Sequence, residues 1–240
     1  MPVDFEGVQY LTFDCYGTLI DWERGILDAM SPILNRHGHS IDDGTLLERY
    51  AVFEAEIEAG EFSPYCEVLR GVVDRFGGWL GFLPSEEDRA SFSASASDWP
   101  AFPDSRDALA RLARRFRLVV LSNVDDDLFE GSNDRLGRPF YAVFTAGQIG
   151  SYKPDLRNFR YMIERLGGDP RPIVHVAQSL FHDIAPAREM GFQTVWVNRR
   201  RGMGGAGATP PAEARPNLEV ASLEELVEFM EERSPTGGEG

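Results

Sequence analysis

The sequence predicts an α/β fold, a doubly wound parallel sheet interrupted by a helical insertion, and three observations predict it. Short apolar runs rich in β-branched residues recur along the chain, each closed by a turn or helix signal, as buried parallel strands require. Between them lie segments whose apolar positions recur at three and four, the period of an amphipathic helix. The interval from Asp21 to about Trp99 drops the strands and keeps only helical patterns. Alternating strand and helix closes into one sheet with right-handed crossovers, and the helical interval must then stand outside it.

VQYLTFD is the first expected strand, followed after the long interval by FRLVVLSN, YAVFTA, RPIVHVA and FQTVWVN. The expected core helices are DSRDALARLARRF, PDLRNFRYMIERLG and DIAPAREMGF. Within the interval, GTLLERYAVFEAEIEAG lines Leu46, Leu47, Tyr50, Phe53 and Ile57 along one face, and PYCEVLRGVVDRFGGW repeats the device. Such stripes signify helix–helix packing. WPAFPD marks the return to the sheet, so residues 1–20 and 99–240 are assigned to the core and 21–98 to a helical cap. RRRGMGGAGATPPAEARP reads as a Gly/Pro-rich loop and SPTGGEG as a disordered tail.

With 240 residues, 42% hydrophobic and 26% charged, the chain can bury a sizeable core. No apolar stretch approaches the roughly 18 to 20 residues of a membrane helix, and MPVDFEGVQY lacks the basic and apolar regions of an export signal. A cytoplasmic location is expected, with no membrane partner. The net charge of -15 repels phosphate backbones, which argues against nucleic acid. Cys15 and Cys66 belong to no CxxC or Cys/His cluster, so reduced thiols are expected and zinc is not.

Ligands of open α/β sheets bind just beyond the carboxyl ends of the strands. Asp14 ends the first strand, Ser122 and Asn123 the second; Lys153 follows the turn after the third, and Asp183 follows the fourth. Four strand ends thus send two carboxylates, a hydroxyl–amide pair and an ammonium towards one rim, which defines a candidate site. Lys153 is also the one lysine among 24 Lys and Arg residues. An ammonium is a compact point charge that fits between two carboxylates, where the planar guanidinium fork does not.

The DxYGTL stretch from Asp14, LSN at the second strand end, the YKPD lysine and the downstream HD resemble, in order, the four motifs of the haloacid dehalogenase superfamily. The resemblance spans residues 8 to 197. It implies a Rossmann-like core with an α-helical cap, and Asp14 as the nucleophile of a covalent ester intermediate. Tyr16 stands where the superfamily's phosphatases carry a second aspartate that protonates the leaving group. General acid help is worth typically 10²- to 10⁴-fold, and the missing carboxylate also weakens a magnesium site. No lysine lies in the cap to form the Schiff base of a phosphonate-cleaving relative.

The DxYGT variant resembles the (S)-2-haloacid dehalogenases, which displace halide from the carbon beside a carboxylate without metal or cofactor. That resemblance implies that Asp14 attacks C2 of a small carboxylate substrate with inversion, and that water activated by Asp183 hydrolyses the ester to a 2-hydroxy acid. Lys153, Ser122 and Thr18 would orient Asp14 and stabilise charge. Asn123 and the backbone around Cys15 and Tyr16 would hold the substrate carboxylate, with Arg49 as substitute for the family's halide-cradling arginine. His182 and Ser179 flank Asp183; for His182 a supporting contact and a proton-transfer role both stay open.

Other positions depart from that branch. Phe159 replaces a tyrosine expected six residues after the motif lysine, and Leu180 an asparagine expected three before Asp183. LTFDCYGTLIDWE, WPAFPD, GSYKP, NFRYM and HDIAPA are similar to azetidine-2-carboxylate hydrolase, which opens a strained cyclic amine at the same carbon. The cap residues Glu54, Glu56 and Glu58 are read as solvated surface, though an amine would need such an anionic partner. A phosphatase and an inactive binding protein on the same fold remain the alternatives. The cap stripes are compatible with a homodimer and with ordinary packing alike.

Overall fold

The structure, a computed structural model, describes residues 3–205 and 207–232; the SPTGGEG tail lies outside them. β1 (Tyr10–Phe13) leads into four helices, α1 (Trp22–Arg36), α2 (Asp43–Glu58), α3 (Tyr65–Leu80) and α4 (Glu86–Ser95). α5 (Ser105–Leu112), β2 (Arg117–Ser122), α6 (Asp126–Leu136), β3 (Ala142–Thr145), a short α7 (Ala146–Ile149), α8 (Leu156–Arg165) and β4 (Ile173–Ala177) follow. α9 (Ala185–Glu189), β5 (Gln193–Val197), β6 (Leu218–Val220) and α10 (Leu223–Glu232) complete the described chain. The six strands form one parallel sheet in the order β3-β2-β1-β4-β5-β6.

All five expected strands are present at that sheet's centre and one edge. β6 and helices α6 and α10 were not singled out in the sequence. Three residues at the end of a Gly/Pro-rich loop are too few to show a period, and α6 (DDLFEGSNDRL) mixes its few apolar positions with Gly and Asn. Among the described residues no helix is long and apolar enough to cross a membrane.

The sheet alternates its side chains between two apolar clusters. Leu11 and Phe13 of β1 join Val120, Val174 and Val176 in the larger cluster, which continues into α1, α2 and α3. Tyr10, Val119 and Leu121 turn to the other face against Phe159, Met162 and Phe192. On α2, Leu46, Leu47 and Tyr50 are buried as the stripe predicts, while Phe53 and Ile57 are only partly so. Glu54 is buried with them, against its reading as surface.

The four helices are fastened to the sheet by specific contacts. The Asp125 carboxylate, just past β2, accepts the Tyr65 and Cys66 amides at 2.9 and 2.8 Å and so caps the N-terminus of α3. The Tyr152 hydroxyl donates to the Ser63 carbonyl at 2.7 Å. Trp99 presses on α1 so closely that a Cβ on Gly25 would lie 2.2 Å from its ring. Together these contacts tie α1, the start of α3 and the loop before it to the core.

Candidate active site

Asp14 is the first residue past β1, and its amide still donates to the Val176 carbonyl at 3.2 Å, so the sheet fixes its direction. The chain then turns back at once. The Cys15 carbonyl accepts the amides of Thr18, Leu19 and Ile20, and Gly17 takes φ +87°, where a Cβ would also meet Trp22 at 2.9 Å. This turn brings the Thr18 hydroxyl to Asp14 Oδ2 at 2.7 Å.

Lys153 is 1% exposed and spends all three of its N–H bonds inside the protein. Nζ donates to Asp14 Oδ1 at 2.9 Å, to Asp183 Oδ1 at 2.7 Å and to the Leu121 carbonyl at 2.8 Å. No donor remains for a ligand, so Lys153 acts through charge and positioning. Burial alone would discharge it, but Asp14 and Asp183 outweigh burial and push its pKa up to about 12. Burial likewise raises Asp14 above the ordinary carboxylate range despite Lys153 and Thr18. For Asp183 the balance reverses: against burial, Lys153 and a hydrogen bond from His175 hold it below that range.

These groups open into a cavity of about 30 Å³, enough for a few small-molecule atoms, lined also by Tyr16, Ser122, Asn123, Ser179 and His182. Two buried atoms there have no partner: Ser122 Oγ and Asp183 Oδ2. A buried polar atom left unpaired costs on the order of 1 to 3 kcal/mol, and at a cavity wall it offers a ready contact to a ligand or water. Helix α2 and its neighbours roof the cavity with Glu54, Glu58, Tyr65 and Trp22, and Thr209 reaches in from the Gly/Pro-rich loop.

Glu54 is the centre of that roof. Tyr50 and Tyr65 each donate a hydroxyl to its Oε1 at 2.7 Å. Burial lifts its carboxyl to about 7 against the pull of those two hydroxyls. Burial, with Glu54 adding its charge, also raises Glu58 well above the ordinary range.

The geometry corrects several expected roles. Arg49 lies on the outer side of α2, exposed, with its guanidinium 5.0 Å from the Trp79 ring centre, and does not line the cavity. Arg49→Ala is expected to change kcat/KM less than about twofold and stability by about 1 kcal/mol or less, as thermal unfolding and steady-state kinetics would show. The Cys15 side chain packs in the core and its carbonyl is committed to the turn, so the expected contact to a substrate falls to the backbone N–H groups of Cys15 and Tyr16 alone. Asn123 lines the cavity and is tied to the lysine segment: Oδ1 accepts the Lys153 amide at 2.7 Å and one Nδ2 hydrogen goes to the Lys153 carbonyl at 3.0 Å, so only its second N–H is left for a ligand. It anchors the lysine. Ser122 makes no hydrogen bond to Asp14, its hydroxyl being unpaired.

Tyr16 does line the cavity, its hydroxyl paired with Ser132 at 3.1 Å and its ring edge-on to Trp99. The Ser179 hydroxyl accepts the His182 amide at 2.8 Å and lies 3.2 Å from Nδ1 of the same residue. Burial pushes His182 down to about 4, so its ring is neutral at pH 7. Phe159 is core, packed on His175 and Phe192. Sequence reasoning missed His175, Trp22, Tyr65, Gln178 and Thr209, and it named Glu54 and Glu58 as partners for an amine while favouring a surface reading for both.

The residues present do not fit a divalent cation. Tyr16 offers a phenol where a second carboxylate would be needed, and the ammonium of Lys153 already bridges Asp14 and Asp183. Among the described residues no group of three or more His, Cys, Asp or Glu is placed to hold a metal ion.

Known proteins are similar to this chain in sequence and in fold. The (S)-2-haloacid dehalogenase of Pseudomonas sp. (strain YL) is 30% identical over 239 residues, 93% of this chain and 95% of its own. A phosphoserine phosphatase of Thermus thermophilus is 30% identical over 196 residues, 79% and 74% of the two chains. The solved L-2-haloacid dehalogenase of Xanthobacter autotrophicus superposes with a TM-score of 0.78 at 21% identity, covering 95% of this chain and all of that one, and so shares the fold. The haloacid dehalogenase-like hydrolase family matches residues 8–191, and with that match the chain is a member of the haloacid dehalogenase-like hydrolases, an enzyme family.

Proposed function

We propose that this hydrolase displaces a leaving group from C2 of a small 2-substituted carboxylic acid through an ester on Asp14, as an (S)-2-haloacid dehalogenase does. The observation that carries this reading is the clamp on Asp14. Thr18 holds one carboxylate oxygen and Lys153 the other, which fixes the nucleophile at the cavity floor without an added cofactor. The helical roof acts as the cap that excludes water from the first step.

In the first step an Asp14 oxygen bonds to C2 from the face opposite the leaving group, which departs with the electron pair, and C2 inverts. The free Ser122 hydroxyl is suited to donate to the substrate carboxylate. In the second step water attacks Cγ of the Asp14 ester and passes a proton towards Asp183 Oδ2, the unpaired oxygen. Collapse breaks the bond between Cγ and the ester oxygen, the departing alkoxide takes the proton held on Asp183, and the Asp14 carboxyl so formed releases its own proton to solvent. The products are a 2-hydroxy acid and the Asp14 carboxylate. Lys153 stabilises the negative charge that forms on the ester oxygen next to it.

A second reading of the leaving group is favoured by the roof. Glu54 and Glu58 line the cavity and no arginine does, so a halide finds no guanidinium to cradle it, while a Glu54 carboxyl raised to about 7 is suited to hand a proton to an amine leaving C2. That makes a strained cyclic amine such as azetidine-2-carboxylate the alternative substrate.

One experiment tests both readings: a single turnover with excess enzyme in ¹⁸O-water without added metal, on (S)-2-chloropropionate, fluoroacetate, azetidine-2-carboxylate and a phosphomonoester. The expected result is label in the peptide bearing Asp14 and an unlabelled hydroxy acid, with the reacting compound naming the leaving group. Label in the product alone, or turnover of the phosphoester alone and only with magnesium, would overturn the ester route.

A further inference from the structure

His175 stands in the middle of β4, fully buried, between the rings of Phe159 and Phe192. A polar ring among aromatic side chains costs free energy unless both nitrogens are satisfied, and packing alone would be served by an apolar residue. Both are satisfied. Thr12 and His175 are register partners on the adjacent strands β1 and β4, so their side chains share a face, and Thr12 Oγ1 lies 2.8 Å from Nδ1. Nε2 lies 3.0 Å from Asp183 Oδ1.

The direction of that second bond follows from its neighbours. Asp183 Oδ1 already accepts the Lys153 ammonium, so the carboxylate is ionised and can only accept, and Nε2 must carry the hydrogen whatever Thr12 does at Nδ1. Oδ1 is thereby held by two donors from two different segments, the middle of β4 and the loop before α8. The carboxyl plane is fixed, and Oδ2 is left buried, unpaired and at the cavity wall.

We propose that His175 is a positioning residue for ester hydrolysis, holding Asp183 so that Oδ2 faces the attacking water. The proposal rests on the Asp14-ester reading and assigns His175 to its second step alone. Alkylation of Asp14 does not involve Asp183 Oδ2 and is left unaffected. Without the His175 donor, Asp183 turns about its last side-chain bond and the water loses its acceptor.

The test compares wild type, His175→Leu and His175→Gln in single turnovers on (S)-2-chloropropionate and azetidine-2-carboxylate, following the mass of the Asp14 peptide with time. The Leu variant is expected to form the ester within about threefold of the wild-type rate and hydrolyse it at least about tenfold more slowly, so the alkylated peptide accumulates. The Gln variant, which keeps an N–H at the same reach, is expected to recover most of that loss. Equal slowing of both steps, or no slowing of the second, would overturn the proposal. If the Leu variant is poorly folded, His175→Asn, polar but too short to reach Asp183, takes its place in the comparison.

Absence of any ester in wild type would instead overturn the ester reading. The positioning of Asp183 then remains readable by ¹³C NMR of its carboxyl carbon. Its titration midpoint is expected to rise by about one pH unit or more on losing the His175 donor, and an unmoved midpoint would show that His175 merely fills space.

Discussion

Asp14→Asn is expected to lower kcat by about 10⁴-fold or more for whichever substrate the enzyme turns over, while leaving the fold intact. The amide has the shape of the carboxylate but not its nucleophilic oxygen, so the ester cannot form, and loss of a covalent nucleophile commonly costs that much. Stability is expected to hold or rise. Burial raises Asp14 above its ordinary pKa, which means the folded protein binds its proton more tightly than the unfolded chain. In wild type, stability therefore grows as pH falls through that raised value and is lower above it. At pH 7 the folded protein carries the cost of an ionised, desolvated Asp14 near Asp183, and the amide removes it. Lys153 stays neutralised by Asp183 at 2.7 Å. Thermal unfolding at pH 7 should place the variant level with wild type or a few degrees above it, and the same comparison at pH 4 should close the difference. A large drop in melting temperature would instead mark Asp14 as a structural anchor.

How much of this site was legible depended on where its residues sit along the chain. Asp14, Ser122, Asn123, Lys153 and Asp183 each end or follow an apolar run, and parallel strands bring such positions to one rim regardless of how far apart they lie in sequence. The residues that roof and support the site lack that signal. Glu54 lies four residues after Tyr50 and seven after Leu47, so it belongs to the buried face of α2 and its position was readable; its charge led to the opposite reading. The two tyrosine hydroxyls that make burial tolerable come from α2 and α3, and no spacing along one helix reveals the second. Arg49 followed from a family position rather than a helix face, and the face sends it outward. His175 was hidden inside RPIVHVA because a five-residue apolar strand predicts burial without saying which partner a polar member meets. Thr209 sits in a loop with no period at all, and its place at the cavity is a matter of tertiary contact, its hydroxyl donating to Gln178 Oε1 at 3.2 Å.

Lys153→Met is expected to be the most damaging change to the fold. The methionine side chain fills a similar volume, so little cavity forms, and the effect isolates charge. Removing the ammonium leaves Asp14 and Asp183 facing each other in a buried site with no cation between them. Breaking a buried ion pair by deleting one partner costs roughly 3 to 5 kcal/mol, which for a domain of this size lowers the melting temperature by about 10 °C. The pH dependence identifies the cause. Asp183 is held below its ordinary value of 3.8 in wild type, so its stabilisation is present above that pH and is lost as pH falls towards the folded value. Lys153 is raised from 10.5 to about 12, so its stabilisation is present below 10.5 and is lost as pH rises through about 12. The gap between wild type and variant should therefore be full from about pH 5 to 10 and narrow on both sides, since the variant's two carboxyls can fold protonated in acid. Lys153→Arg should not rescue it. The planar fork is larger than the ammonium it replaces, and Nζ already makes three contacts in a space with 1% exposure. A gap that stayed constant from pH 3 to 12 would mean that packing of the alkyl chain, and not the two-carboxylate clamp, is what Lys153 contributes.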